Sequence, residues 1–129
     1  DLPYDIKEPE IHLDDATYGI WYLDVMDHIE RYEGKKITFT GMVLRPEQFP
    51  AGCFVPGRMV MTCCADDIAF LGFVCKYDKA SVLQNRQWVN VTVTVKKEYW
   101  ADYKEEGPVL YAQDVSVAEK PANEVINIT

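Results

Sequence analysis

Apolar and polar residues alternate most regularly over Gln87–Lys96, where valine fills every second position from Val89 to Val95. A period of two places these valines on one side of an extended chain and Trp88 on the other, which predicts a β-strand with one buried face. Four further segments follow the pattern less regularly and predict four more strands, at Lys36–Arg45, Phe54–Thr62, Phe70–Tyr77 and Pro108–Ala118. The chain is therefore predicted to be mainly β.

A different period precedes these strands. Apolar residues recur there at intervals of three and four positions, at Tyr18, Trp21, Tyr22, Val25 and Ile29. This spacing predicts one amphipathic helix over residues 17–33, which Gly34 ends. We interpret residues 1–16 as a lead-in arm with one short strand, and residues 119–129 as an extended polar tail.

The alternation changes phase inside the first long strand. Ile37 and Phe39 precede Gly41 in one phase, whereas Met42 and Leu44 follow it in the other. A phase change at a glycine predicts a bend or bulge, and a strand needs such a bend to curl around a small barrel.

Five strands and one preceding helix predict an OB-like, five-stranded Greek-key barrel over residues 35–118. The helix would come before strand one rather than between strands three and four, and an SH3-like barrel or a small sandwich is the alternative. No internal repeat or low-complexity block divides the chain. Residues 1–129 are therefore predicted to be a single domain.

Charge excludes some partners. Thirteen Lys and Arg stand against twenty-one Asp and Glu, a net charge of -8, so the average field repels phosphate backbones. The tryptophans and tyrosines would suit a barrel that stacks single-stranded nucleic acid, but the acidic balance counts against this reading, and we expect no nucleic-acid partner. No apolar run is long enough to span a membrane, and Asp1 starts no signal-like segment, so we expect this chain neither to insert into a membrane nor to carry a targeting peptide.

Potential chemistry is concentrated between Arg58 and Gly72. Adjacent thiols at Cys63 and Cys64 can bind one metal ion together only where the backbone turns, and the turn is predicted at residues 65–69. With Asp66 or Asp67 they would supply three ligands to a zinc-type ion, and water, His12 or His28 would supply the fourth. The alternatives are structural thiols, one of them buried, and a redox pair.

Arg58 lies on a strand face whose neighbours are mostly apolar. A guanidinium in that position must reach solvent or meet a carboxylate, and Asp66 or Asp67 is the predicted partner across the next turn. The alternative is a site that binds an anion. Our candidate binding residues are Arg58, Asp67 and Trp88.

The sequence does not favour an enzyme. The two histidines, His12 and His28, lie far from any serine or cysteine nucleophile, and there is no phosphate loop or dinucleotide fingerprint. A thiol-based redox protein or enzyme that uses Cys63 and Cys64 is the rival hypothesis. We expect all four thiols to be reduced, because Cys53 and Cys75 do not fall opposite each other or the doublet in a simple hairpin.

Residues 32–118 resemble the C-terminal domain of the YcgQ-like, or DUF1980, family of uncharacterised bacterial proteins. The most specific part of this resemblance is the spacing of Arg58, Cys63, Cys64 and Asp67, and it also includes residues 34–37, Gly41, Val43, Arg45, Phe54, Val55, Gly72, residues 88–91 and residues 108–110. The resemblance implies a protein of the bacterial envelope with a permease-like membrane partner. We therefore expect a non-enzymatic binding or accessory domain that handles a metal ion, zinc above all, or an anion.

Overall fold

The computed structural model describes residues 1–128, which form a mainly β structure with one α-helix. The helix, α1, spans Tyr18–Asp27. The strands are β1 (Glu10–His12), β2 (Lys36–Leu44), β3 (Cys53–Met61), β4 (Ile68–Gly72), β5 (Cys75–Lys76), β6 (Trp88–Trp100), β7 (Glu105–Val117) and β8 (Val125–Asn127). The predicted class is thus confirmed, whereas the sheet contains eight strands rather than the predicted five.

The strand pairings form a closed circuit. β2 pairs with β6, β6 with β7, β7 with β5, β5 with β3, and β3 returns to β2. All of these pairs are antiparallel except β5 with β7. The other three strands attach to the circuit: β1 runs parallel to β2, β4 antiparallel to β3, and β8 parallel to β3.

The third predicted strand is interrupted. Residues 70–77 were expected to be continuous, but the chain forms β4, leaves the sheet at Phe73 and Val74, and returns as β5. Both intervening side chains are buried in the core. The change of neighbour explains the break, because β4 pairs with one half of β3 whereas β5 pairs with both β3 and β7.

The predicted phase change at Gly41 is wrong. Ile37, Phe39, Gly41 and Val43 are all buried, so the alternation continues through the glycine, and Leu44 is exposed. The pairing with β6 runs from Lys36 to Met42 without a bulge. At this point β2 also begins to pair with β3, since Met42 is opposite both Trp88 of β6 and Gly57 of β3. A Cβ on Gly41 would lie 3.1 Å from the backbone nitrogen of Gly57. The glycine allows this close approach.

Strand β3 continues through Pro56 and Gly57 without a break. On one face of β3, Phe54, Arg58 and Val60 are buried, while Val55, Met59 and Met61 on the other face are partly exposed.

The helix is shorter than the predicted residues 17–33. Before it, the Asp14 carboxylate accepts hydrogen bonds from the backbone N–H groups of Ala16 and Thr17 and so closes the turn that leads into α1. After Asp27 the chain tightens into a 3₁₀ turn at Ile29–Arg31. Gly34 follows with a φ of 83°, a conformation that glycine adopts without strain.

The β6–β7 hairpin is longer than predicted. Residues 97–107 lie between the two predicted strands; they mostly extend these strands and leave only residues 101–104 as the turn. Val89, Val91, Val93 and Val95 are all buried, which confirms the face assigned to this strand.

Candidate functional site

The predicted turn after β3 forms as a 3₁₀ segment, Ala65–Asp67, that leads directly into β4. The Asp67 N–H donates to the Cys64 carbonyl at 2.9 Å, and the Thr62 N–H donates to the Asp67 carbonyl at 3.4 Å. These two hydrogen bonds fold the chain back on itself and return the Asp67 side chain to the cysteines.

Among residues 1–128, Cys63, Cys64 and Asp67 place one ligand atom each within 4.8 Å of one another. The two sulfurs are 3.8 Å apart, and the Cys64 Sγ lies 3.5 Å from Oδ2 of Asp67. The Cys63 thiol donates a hydrogen bond to the same oxygen. We call these three residues the thiol–carboxylate cluster.

The cluster differs from the sequence interpretation in three respects. Both cysteines are exposed, whereas a regular strand would have buried one; β3 ends at Met61, so the alternation no longer applies to them. Asp66 does not join the cluster. His12 and His28, named as possible fourth ligands, do not join it either.

The hydrogen bond to Asp67 affects the Cys63 thiol. It raises the pKa of Cys63, since removing the proton would set a thiolate against the carboxylate, and the neighbouring Cys64 adds to the effect. A cation between the three groups would reverse this preference, because it stabilises the thiolates and the carboxylate together.

Arg58 does not pair with the Asp66–Asp67 turn, so that prediction is wrong. Its Nη1 donates to Oδ1 of Asp15 at 2.9 Å, and its Nη2 donates to the carbonyl of Asn123 at 2.7 Å. The guanidinium also lies over the Trp88 ring, 5.4 Å from the ring centroid. Arg58 therefore ties the N-terminal arm and the C-terminal tail to β3.

The three candidate binding residues separate into two places. Arg58 and Trp88 are together and buried, while Asp67 belongs to the exposed thiol–carboxylate cluster. Arg58 also lines a cavity of about 640 Å³. Asp14, Asp15 and Glu119 line the same cavity, so a free anion would meet more negative than positive charge there.

Sequence reasoning missed the partners of Arg58. Asp15 is 43 residues before it and Asn123 is 65 residues after it, and the contact to Asn123 is made by a main-chain carbonyl that any residue could provide. The one usable signal in the sequence was the positive charge of Arg58 on a buried strand face, because such a charge requires an acidic partner.

A second polar group, on β5, β6 and β7, was also missed. The Tyr111 hydroxyl donates to Oε1 of Glu98 at 2.6 Å, and the Lys76 ammonium lies 3.3 Å from the same oxygen. These contacts, the hydroxyl first, lower the pKa of the Glu98 carboxyl. The group holds the short parallel β5–β7 junction to the hairpin.

Each cysteine is a free thiol: Cys53 and Cys75 are buried, and Cys63 and Cys64 are exposed. Burial raises the pKa of both buried thiols. We expect two thiols to react with an aromatic disulfide reagent in the native protein and four after denaturation. A Cys63→Ser/Cys64→Ser variant should lose the native reaction. A denatured count of two or none would contradict this prediction and indicate a disulfide.

Fold and cluster together define a small mainly β domain with two adjacent thiols and a carboxylate on an exposed turn. The sequence matches the DUF1980 C-terminal domain over residues 2–126, and the chain belongs to this family. The resemblance seen in the sequence is thereby confirmed. No helix within residues 1–128 is both long and apolar enough to cross a membrane.

Curated proteins and solved structures add two further findings. A search among curated proteins finds no match. The chain is similar to the aspartyl tRNA synthetase from Entamoeba histolytica with a TM-score of 0.43 and 9% identity, over 94% of this chain and 27% of that one.

Proposed function

We propose that this domain binds a thiophilic divalent metal ion of the zinc type through Cys63, Cys64 and Asp67. The convergence of two sulfurs and one carboxylate oxygen within 4.8 Å supports the proposal most directly. Zinc bonds thiolate sulfur at about 2.3 Å, so two sulfurs on a tetrahedral ion stand roughly 3.8 Å apart. The two sulfurs of the cluster are separated by 3.8 Å before any ion is added.

Three protein ligands leave one tetrahedral position open. Structural zinc sites are usually closed by four protein ligands, whereas an open position accepts water or a donor from another molecule. All three residues of the cluster are exposed, so another protein could reach the ion. These features favour a site that holds and passes on a metal ion over a site that stabilises the fold.

We further propose that the barrel is OB-like. The circuit β2–β3–β5–β7–β6–β2 has the strand order of a five-stranded Greek-key barrel, with β4 as an extension of the hairpin from β3 and α1 placed ahead of the first strand.

The cellular role that we propose rests on the family resemblance. The resemblance implies that this domain is located in the bacterial envelope, beside a permease-like membrane protein. A domain with an open, exposed metal site would fit there as a non-enzymatic accessory that delivers or senses the ion.

Metal binding can be tested on protein purified without chelator. We expect stoichiometric zinc by elemental analysis, and we expect Cys63→Ser/Cys64→Ser to remove it. Asp67→Asn should weaken zinc affinity at least about tenfold, because loss of one ligand or its close support typically has such an effect. Asp66→Asn is the matched control, since it removes a neighbouring carboxylate outside the cluster, and it should leave the affinity unchanged. Metal-free protein that also fails to bind added zinc would overturn the proposal.

The rival function is a thiol redox protein, which the exposed pair of sulfurs 3.8 Å apart also favours. The variant Asp67→Asn distinguishes the redox function from metal binding. Reversible oxidation of the cysteine pair without zinc binding, insensitive to Asp67→Asn, would support the redox function instead.

A further inference from the structure

A second cavity, of about 610 Å³, lies between α1 and the β6–β7 hairpin, and no residue of the thiol–carboxylate cluster lines it. The rings of Tyr22 and Phe73 stack there with centroids 4.4 Å apart and an interplanar angle of 15°. The rest of the apolar lining comes from Val25, Met26 and Ile29 on the helix side and from Tyr103 and Pro108 on the hairpin. The cavity thus has room and apolar surface for several side-chain-sized groups.

The rim of this cavity is acidic on two opposite sides. Asp27 and Glu30 come from the end of α1 and the 3₁₀ turn after it, while Glu105 and Glu106 come from the start of β7. Lys97 is the one cationic side chain in the lining, so the rim has an excess of three negative charges. Within the described chain, Glu30 has an ion-pair contact only with His28, at 3.7 Å, and the other three carboxylates have none.

Apolar surface continues outside the cavity along the helix. Met26 lines the cavity and is 58% exposed, and Leu23, three residues earlier on the same side of α1, is 45% exposed. Two large apolar side chains next to an apolar cavity make a patch of the kind that protein partners cover. We name the cavity and this extension the acidic groove.

We infer that the acidic groove docks an extended segment of a partner polypeptide in which apolar side chains are flanked by Lys or Arg. The apolar side chains would bury against Tyr22 and Met26, and the cations would meet the carboxylates on the two sides. Acids on both sides and an apolar surface that extends beyond the cavity suit a segment with several charges better than a single small amine. A second copy of this chain suits it poorly, because each copy has a net charge of -8.

Short peptides can test this inference on the intact chain by amide NMR shifts. The probe is acetyl-Lys-Leu-Phe-Lys-amide, with a charge-reversed peptide, acetyl-Glu-Leu-Phe-Glu-amide, and a polar one, acetyl-Lys-Ser-Ser-Lys-amide, as comparisons. We expect the first to shift the signals of Met26 and Gly107, with a dissociation constant on the order of 1 mM. Neither comparison peptide should reach half-saturation at the same concentrations. Raising salt from about 50 mM to about 500 mM should weaken the first peptide several-fold, because the rim charges are exposed to solvent.

Matched variants locate the effect. Glu105→Gln/Glu106→Gln should weaken the first peptide about fivefold, a value typical of two lost surface charge pairs. Glu47→Gln/Asp78→Asn removes the same charge from exposed sites outside the groove and should change the affinity less than twofold. Met26→Ser should also weaken binding.

Four results would each overturn the inference. They are equal binding of the charge-reversed peptide, signal shifts outside the groove, self-association through the groove in sedimentation, and no signal shift at all. None of these results depends on zinc, so the metal site stands or fails separately.

Discussion

Asp15→Ala is expected to lower the free energy of unfolding by about 3 kcal/mol, more than Arg58→Met, for which we expect about 2 kcal/mol. The difference follows from unequal burial: the Arg58 side chain is 3% exposed and that of Asp15 is 47% exposed. Removing Asp15 leaves a buried guanidinium without its counter-charge, whereas removing Arg58 leaves a carboxylate that water can reach. Chemical denaturation of both single variants measures these losses.

The double variant Arg58→Met/Asp15→Ala completes a thermodynamic cycle. It should be more stable than the sum of the single losses predicts, because neither charge is left unpaired. Glu119→Ala is the control: it lines the same cavity, has no ion-pair contact in the described chain, and should change stability by less than about 0.5 kcal/mol. If Asp15→Ala proves neutral, the ion pair does not stabilise the fold, and the Asn123 carbonyl and the Trp88 ring are sufficient to hold the buried guanidinium.

The sequence predicted a strand well where buried residues recur at every second position beside the same neighbouring strand. The valines of β6 are the clearest case, because Val89, Val91 and Val93 lie along the pairing with β2 and all four valines are buried. Prediction failed where a strand gains a second partner partway along its length. Gly41 was interpreted as a bulge, yet the alternation continues and the glycine instead allows β2 to pass close to β3. A hydrophobic pattern indicates which side chains are buried, but it does not indicate which neighbouring strand packs beside them.

The thiol–carboxylate cluster and the surroundings of Arg58 differ in the same way, because the first is local in sequence and the second is not. Cys63, Cys64 and Asp67 lie within five residues, and a local turn brings them together, so sequence could identify the cluster and the turn. It misjudged their burial, since the strand ends two residues before Cys63. The surroundings of Arg58 depend on an arm and a tail from opposite ends of the chain. Only the folded topology brings such distant segments together.

Trp21 is one of three large side chains of α1, with Tyr18 and Val25, that are buried against the sheet. Trp21 is fully buried, and its ring lies 5.5 Å from those of Tyr18 and Phe39 and 5.6 Å from that of Phe73. These neighbours come from α1, from β2 and from the link between β4 and β5. Trp21 thus connects the helix to two separate parts of the sheet. Its Nε1 has no hydrogen-bond partner in the described chain, so packing rather than a polar contact accounts for its contribution.

Trp21→Ala is therefore expected to lower the free energy of unfolding by about 4 kcal/mol, the usual range for emptying a large aromatic site in a core. Trp21→Phe should cost much less, about 1 kcal/mol, because it keeps aromatic contacts and removes a buried N–H that is unpaired. Leu23→Ala, on the exposed side of the same helix, is the matched control and should cost less than about 0.5 kcal/mol. Thermal and urea unfolding of the three variants would measure these differences. If Trp21→Ala and Leu23→Ala lowered the free energy of unfolding by similar amounts, the packing of α1 on the sheet would contribute little to stability.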